Sequence, residues 1–434
     1  MVKTFLENYS SQNGMPLPGR TPQANEKCIL LPSDKNKSDI YELYCGALDR
    51  TGQKQVGPST FRKIWLEQCP YLLVMKPATD LCLKCQKHVE NITKSGNITE
   101  EEKQIKLENY QKHLEKVKCQ GDHYREQYER TKLEFDQFSD ANKKRGQRSK
   151  ATDATVHYSF DYSQQVFYPQ QAQAVGPMYF KTPRKCQCFG VCCESSGTQI
   201  FYLVDEAFQS VGKGANSVTS MLHHHFSHLG YGERNVVLHM DNCSGQNKNN
   251  AVIGYGMWRV LTGLHDSIEF STMEAGHTKF SPDWHFGMWK VRWRNTTVNT
   301  LEDVVETVRL SSRNGHNIPH LVQDPENPVQ FYNWTEFLKP VFKPIPNLLS
   351  YHHLRMTSDK PGIVYVRRYA SDAEEAVKIL KKDSFVLNGM PPPQLEPLGL
   401  SAERQWYLHD EIAPLCNSLC ASTCPRSDVP KPTK

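Results

Sequence analysis

From Val156 onward the chain reads as strands, helix, strand, helix, strand, helix, and that order confines it to a narrow group of folds. Val156, Tyr158 and Phe160 alternate with His157, Ser159 and Asp161, the period of a strand with two unlike faces. Apolar runs at residues 199–204 and 235–240 predict further strands. Between these two runs an amphipathic helix carries Val218, Met221, Leu222, His225, Phe226 and Leu229, and Gly230 is expected to stop it. A helical run over 251–261 ends at Gly263, a short strand over 268–272 follows, and Ser281-Pro282 supplies an N-cap and first helical residue. The series predicts an α/β domain whose mixed sheet is flanked by helices. No internal repeat is visible.

The 434 residues allow two to four domains, and 38% hydrophobic with 23% charged residues is an ordinary globular composition. Five segments follow from the pattern. Residues 1–36 carry Gly14, Pro16, Pro18, Gly19, Arg20 and Pro22 and read as an extended arm. Residues 37–138 form a helical module: Ile40, Leu43 and Tyr44 mark one short helix, Phe61, Ile64 and Trp65 a second, and 100–138 a long charged helix. The two short helices, with a glycine-containing turn between them, are compatible with either a DNA-reading helix pair or a packed scaffold. Residues 139–150 hold Lys143, Lys144, Arg145, Arg148 and Lys150 against the single acid Asp140 and read as a basic linker suited to a phosphate backbone. Residues 151–380 form the α/β core and its extension. Residues 381–434 form a tail containing Pro, Cys416, Cys420 and Cys424.

Three aspartates stand where this layout brings side chains together. Asp161 ends the first strand, Asp241 ends the strand before it in 235–240, and Asp283 lies in the first turn of the helix opened by Ser281-Pro282. Strand ends of an open α/β sheet converge on one edge, where sites form. Three converging carboxylates repel one another unless a cation neutralises them, and Mg²⁺ or Mn²⁺, hard ions that prefer oxygen, suit the task. Two such ions support phosphodiester chemistry. Phosphoryl transfer on nucleic acid is therefore the expected reaction class. After Asp241, the side chains of Asn242, Gln246 and Lys248 occupy a polar glycine-containing loop, where the lysine can meet a phosphate and the amides the backbone. Cys243, with no orienting histidine in the sequence nearby, is expected to pack inward, as are Cys186, Cys188, Cys192 and Cys193. The run His223, His224, His225, His228 is expected on an exposed helix.

The segment His239-Met240-Asp241-Asn242-Cys243-Ser244-Gly245-Gln246-Asn247-Lys248-Asn249-Asn250 resembles the signature of a family of transposon-derived proteins. So do Phe160-Asp161-Tyr162-Ser163-Gln164-Gln165 and Gly276-His277-Thr278-Lys279-Phe280-Ser281-Pro282-Asp283 with Phe286-Gly287. In the amino-terminal third, Leu17-Pro18-Gly19-Arg20, Asp80-Leu81-Cys82-Leu83-Lys84-Cys85 and His113-Leu114 carry the same likeness. The resemblance implies a ribonuclease H-like core of the DDE transposase/integrase type, with Asp161, Asp241 and Asp283 as its metal-binding triad. It implies DNA as partner and a nuclear location, with a homodimer or chromatin proteins as further partners. Members of such families are often domesticated, so a catalytically inactive chromatin- or protein-binding factor is the alternative reading.

Cys82 and Cys85 form a CxxC knuckle, and in a chain without the apolar segment of a secretory signal that spacing most often holds Zn²⁺. Partners must come from later in the chain. Cys119 and His123 are four apart on the long helix and share a face, and the family likeness adds His113; Cys69 is a further possibility. Apart from these zinc candidates, His277, which precedes the carboxylate of Asp283, can act there as a proton carrier, an extra ligand beside the aspartates or a turn-bound imidazole. The expected product is an N-terminal helical zinc-binding module joined to a ribonuclease H-like mixed sheet, with Zn²⁺ structural and no membrane segment. The net charge, 52 − 47 = +5, permits contact with nucleic acid without requiring it.

Overall fold

The computed structural model describes residues 1–16, 29–31, 35–50, 52–74, 81–93, 99–381 and 389–431. It divides into two compact units, Met1–His123 with Met273–Lys279, and Tyr124–Thr272 with Phe280–Lys434. The segment Leu17-Pro18-Gly19-Arg20 and Asp80 lie outside the described residues.

The first unit is mainly helical. It contains α1 (Val2–Asn13), β1 (Met15–Pro16), β2 (Ile29–Leu31), α2 (Lys37–Asp49), α3 (Pro58–Gln68), β3 (Leu72–Val74), α4 (Leu83–Thr93) and most of α5 (Glu100–Asp136). The three short strands form one sheet in the order β1-β2-β3. The two short helices expected over 37–69 are α2 and α3. Asn36 starts α2 with a reciprocal cap: its Oδ1 accepts from the N–H of Ser38 at 2.8 Å, and Asp39 Oδ2 accepts from the Asn36 N–H at 2.7 Å. Tyr44, Phe61 and Trp65 pack with Leu6, Leu31 and Leu72, and the Trp65 indole N–H donates to the Leu72 carbonyl at 2.9 Å. That burial satisfies the one polar atom of the largest side chain in the cluster.

The expected extended arm needs correction over its first part. Residues 2–13 are helical, with Val2, Leu6 and Ser10 buried. Apolar residues at helical spacing precede the glycines and prolines, which begin only at Gly14, so the breakers act after the helix is complete.

The second unit is built on a ten-stranded sheet. Its strands are β4 (Thr152–Tyr162), β5 (Val166–Tyr168), β6 (Arg184–Cys193), β7 (Thr198–Asp205), β8 (Glu233–Met240), β9 (Ser267–Ser271), β10 (Asn317–Leu321), β11 (His353–Thr357), β12 (Ile363–Arg367) and β13 (Glu375–Lys378). The order is β10-β7-β6-β4-β8-β9-β11-β12-β13, with β5 paired to β6 off this path. β4, β6 and β7 run antiparallel in succession, whereas β8 lies parallel to β4 and β9 parallel to β8. Parallel neighbours need crossovers, and α6 (Ala215–His224) and α7 (Asn250–Leu261) provide them before and after β8. Helices α8 (Ser281–Arg294) and α9 (Leu301–Arg309) follow β9.

Two apolar clusters explain why the sheet is buried on both faces. Val156, Tyr158 and Phe160 pack with Val218 and Met221 of α6 and with Val252 of α7. Phe201 and Leu203 of β7 pack with Phe286 and Trp289 of α8 and Val304 of α9. His157 and Ser159, on the polar side of β4, are also buried. The mixed α/β class thus follows from helices covering a sheet on two sides.

Three further expectations change. The basic stretch 139–150 is not a boundary: it lies inside the second unit, and the division falls between His123 and Tyr124. There Gly146 N–H donates to Gly230 O at 2.8 Å, Lys150 pairs with Asp266 at 2.5 Å, and Arg145 donates to Thr198 Oγ1 and lies 5.5 Å from the Tyr231 ring centre. The tail is folded, with Leu408, Ile412, Cys420 and Cys424 buried. Finally, His224 and His225 are buried instead of facing solvent, because α6 has apolar neighbours on most sides and continues as a π-helical turn through Leu229. Among the described residues no helix is long and apolar enough to cross a membrane.

Candidate functional site

The parallel register Phe160↔Met240 brings the carboxyl ends of β4 and β8 side by side, so the next residues on the two strands are Asp161 and Asp241. Asp283 is the third residue of α8. Electrostatics registers their proximity: burial raises the Asp161 carboxyl to about 7, and Asp241 and then Asp283 add to the rise, against an opposing hydrogen bond. That bond comes from the Tyr162 N–H at 2.8 Å. Asp161 and Asp241 therefore share one edge of the sheet, and Asp283 is near enough for its charge to act on Asp161. The three are not drawn together so far that one oxygen of each lies within 4.8 Å of the others. Asp283 also has a local task, accepting from the Phe280 N–H at 3.1 Å. Phe280, not Ser281, is the N-cap of α8, with Ser281 and Pro282 inside the first turn.

The loop after Asp241 is a self-bonded turn. The Cys243 carbonyl accepts from the N–H groups of Gln246 at 3.3 Å, Asn247 at 2.8 Å and Lys248 at 3.1 Å. Asn249 Oδ1 then accepts from the N–H groups of Ala251 and Val252, capping α7. Lys248 takes a different task from the expected phosphate contact: it is 1% exposed, and its ammonium donates to Asn242 Oδ1 at 2.9 Å and to the Leu349 carbonyl at 3.1 Å. Asn242 is thereby the lysine's acceptor, while Gln246 stays half-buried. Cys243, expected to pack inward, is exposed, because it stands in the surface turn between β8 and α7 and in neither element. Of the basic residues proposed for nucleic acid, Lys143 and Lys144 are exposed and Arg145 is engaged with Thr198 and Tyr231.

One buried carboxylate escaped the sequence reading. Glu194 Oε1 accepts from Ser159 at 2.5 Å and Oε2 from Ser281 at 2.6 Å. Those hydroxyls stand two residues before Asp161 and two before Asp283, so Glu194 links the strand bearing one aspartate to the helix bearing another. His285, one turn into α8, is held in the same layer by Asn317 Oδ1 at 2.6 Å and Cys192 Sγ at 3.6 Å. Strand parity offered a signal, since Ser159 and Asp161 share a face. Replacing Glu194 by alanine strands one buried and one half-buried hydroxyl and is expected to lower stability by about 1–3 kcal/mol, read as a reduced denaturant midpoint.

A second cluster lies wholly in the first unit. Cys82 and Cys85 sit at the start of α4, His113 on α5, and His277 on the 273–279 segment; their ligand atoms all fall within 4.8 Å of one another. Cys82 Sγ is 3.4 Å from His113 Nε2, and Cys85 Sγ is 3.3 Å from His277 Nε2. In a tetrahedron with zinc–sulfur bonds near 2.3 Å and zinc–nitrogen bonds near 2.05 Å, a sulfur–nitrogen edge measures about 3.6 Å, so these separations are of the right size. The buried Cys2His2 set can hold a metal such as zinc. Burial holds the His277 imidazole down at about 4 and lowers His113, which keeps both in the neutral, ligating form at neutral pH. Burial pushes the Cys85 thiol up to about 12, and a bound dication is what reverses that for a coordinating thiol. Beside the cluster the buried Glu274 carboxylate pairs with Lys84 at 3.2 Å.

Gly276 makes the approach possible. Its φ is +80°, and a Cβ there would stand 2.4 Å from Cys82 Cα and 2.9 Å from Cys82 N. Cys119, His123 and Cys69 are not in the cluster. Ten residues of helix put His123 about 15 Å along α5 from His113, and Cys119, six residues on, projects about 240° around the axis. Cys69 belongs instead to the core around Trp65. The fourth ligand escaped detection because no local spacing connects residue 277 to residue 85.

Residues 181–373, somewhat under half of the chain, match a family described as a domain of unknown function (DUF7869). The matched span contains Asp241, His277 and Asp283 and begins after Asp161. No curated protein and no solved structure matches the chain.

Proposed function

We propose that the chain is a transposase-derived, DNA-binding protein whose second unit is a ribonuclease H-like phosphoryl-transfer core and whose first unit is stabilised by Zn²⁺. One observation carries the reading: Asp161, Asp241 and Asp283, separated by 80 and 42 residues of chain, lie close enough for the latter two to oppose ionisation of the first. The order β7-β6-β4-β8-β9, antiparallel in its first half and parallel in its second, supports the ribonuclease H-like class. So does the origin of the carboxylates, two from the adjacent ends of β4 and β8 and one from α8, the helix after β9.

The donor set is all oxygen and suits Mg²⁺ or Mn²⁺. Asp161 and Asp241 would hold one ion between them, and Asp283 would complete a second. Bound there, the ions would supply activation of a water or a DNA 3′-hydroxyl and charge stabilisation on the leaving oxygen. The chain's own part is to position the carboxylates, which the Glu194 bridge between Ser159 and Ser281 assists; the bound ions would draw Asp161 into its ionised form. The alternative, a domesticated chromatin- or protein-binding factor, is favoured by the spread of the three carboxylates and by the capping bond that occupies Asp283.

Nicking or strand transfer on DNA with Mg²⁺ or Mn²⁺ tests the enzyme. Asp241→Asn is expected to lower the rate by at least about 100-fold with DNA binding retained, since it removes a carboxylate that would hold the first ion. Absence of activity in the wild type under both ions favours the binding factor.

A further inference from the structure

We propose that Lys213 and Lys290 flank the acidic edge as phosphate-binding residues and grip the backbone of a nucleic-acid strand, with Arg294 taking a phosphate farther along. This rests on the phosphoryl-transfer reading and adds to it the residues that would hold the substrate.

Lys213 stands on a tight turn. Gly212 has φ +77°, a conformation that favours glycine, and a Cβ on Gly214 would lie 3.6 Å from the Gly245 carbonyl oxygen of the loop that follows Asp241. The Lys213 ammonium lies 5.4 Å from the ring centre of Tyr162, the residue after Asp161. The turn therefore holds one cation beside the end of β4, over Tyr162, which faces the opposite side of the sheet from Asp161.

Lys290 comes from the other direction. It follows Asp283 by seven residues on α8, which is about 700° of helical rotation and about 10.5 Å of rise, so the two project from nearly the same face. Arg294 is four residues farther along that face. Asp283, Lys290 and Arg294 thus make a line that starts at an acid and continues with cations, the pattern a strand with regularly spaced negative charges would meet. A single small phosphate has no use for such a line.

The two lysines are half-buried, and burial lowers the pKa of each. Among the described residues neither has a carboxylate within ion-pair distance. An ammonium partly withdrawn from water without an acid loses hydration and gains no anionic partner, and the Tyr162 ring beside Lys213 carries no full charge, an arrangement an anionic ligand corrects. The lysines are not there to neutralise the aspartates. If they were, Asp161 would be held low; it is raised, and Asp241 and Asp283 are the charges acting on it. Lys290 does lie within reach of the Asp283 charge, at a distance too long for an ion pair.

The test is binding of fluorescent single-stranded and duplex DNA oligonucleotides to the full chain, without Mg²⁺ or Mn²⁺, over a series of salt concentrations. Lys213→Gln and Lys290→Gln are each expected to weaken binding about 3- to 10-fold at 0.1 M salt, equally for unrelated sequences, and to reduce the slope of log K against log salt by about 0.7–0.9. Lys→Arg at either position is expected to restore most of the affinity, which separates lost charge from lost folding. Unchanged affinity and slope in both glutamine variants would overturn the proposal, as would a wild-type chain that binds neither oligonucleotide. The two readings fail separately. A wild type that never cleaves DNA but loses binding in the lysine variants removes the chemistry and keeps the grip; one that cleaves while the variants bind normally removes the grip and keeps the chemistry.

Discussion

Alanine at position 276 is expected to empty the Cys82–Cys85–His113–His277 cluster. The added Cβ would meet Cys82 Cα at 2.4 Å and Cys82 Cβ at 2.8 Å, and the backbone there has φ +80°. A main-chain clash cannot be relieved by rotating a side chain, so the 273–279 segment must retreat from the CxxC knuckle. His277 Nε2, now 3.3 Å from Cys85 Sγ, moves with it. Zinc–ligand bonds tolerate displacements of only about 0.2 Å, and structural zinc sites contribute on the order of 10–16 kcal/mol to folding at pH 7. Zinc measured per chain is expected to fall from about one to near zero, with a large drop in thermal midpoint, matching Cys82→Ser. Gly46, within α2, is the control: nothing lies within 4 Å of a Cβ built there, and alanine should leave the metal in place. Full zinc content and an unchanged midpoint in Gly276→Ala would remove His277 from the ligand set.

Asp161→Asn is expected to stabilise the Mg²⁺-free protein while abolishing any Mg²⁺-dependent activity. Burial, Asp241 and Asp283 raise the folded-state pKa of Asp161 to about 7, above its ordinary value of 3.8. Between those two values the folded chain binds more protons than the unfolded chain, so stability falls as pH rises through the window. The loss is absent below about pH 4 and complete above about pH 7. Three pKa units correspond to about 4 kcal/mol; partial solvent access to the carboxylate screens this to about 1–3 kcal/mol. Asparagine can still accept the Tyr162 N–H and carries no charge, so its gain should show in thermal unfolding at pH 8 and vanish at pH 4. Adding Mg²⁺ should raise the wild-type midpoint and leave that of the variant unchanged. A variant less stable than wild type at pH 8 would mean that the carboxylates do not strain one another.

The parts of this architecture that depend on short-range order were legible. Alternation along 156–161 predicted β4, and the apolar spacing of Val218, Met221 and Leu222 predicted α6, because period and chemistry lie within a few residues of each other. The adjacency of Asp161 and Asp241 followed from strand order and from the rule that strand ends converge. What escaped depends on contacts between distant segments. Lys248 looked free to meet a phosphate until the Leu349 carbonyl, 101 residues later, took one of its protons. Glu194 carried no expectation, because only the folded sheet brings Ser159 and Ser281 to its two oxygens. The CxxC was plain from spacing, whereas its histidine at 277 was reachable only through three-dimensional packing.

The first unit is discontinuous, since it includes Met273–Lys279 as well as Met1–His123. During synthesis, therefore, the Cys82–Cys85–His113 set must wait as three incomplete ligands while some 160 further residues are translated, with its thiols open to oxidation or to stray metals in the interval. An isolated amino-terminal fragment ending anywhere before residue 277 inherits the same incomplete cage, however well its helices form.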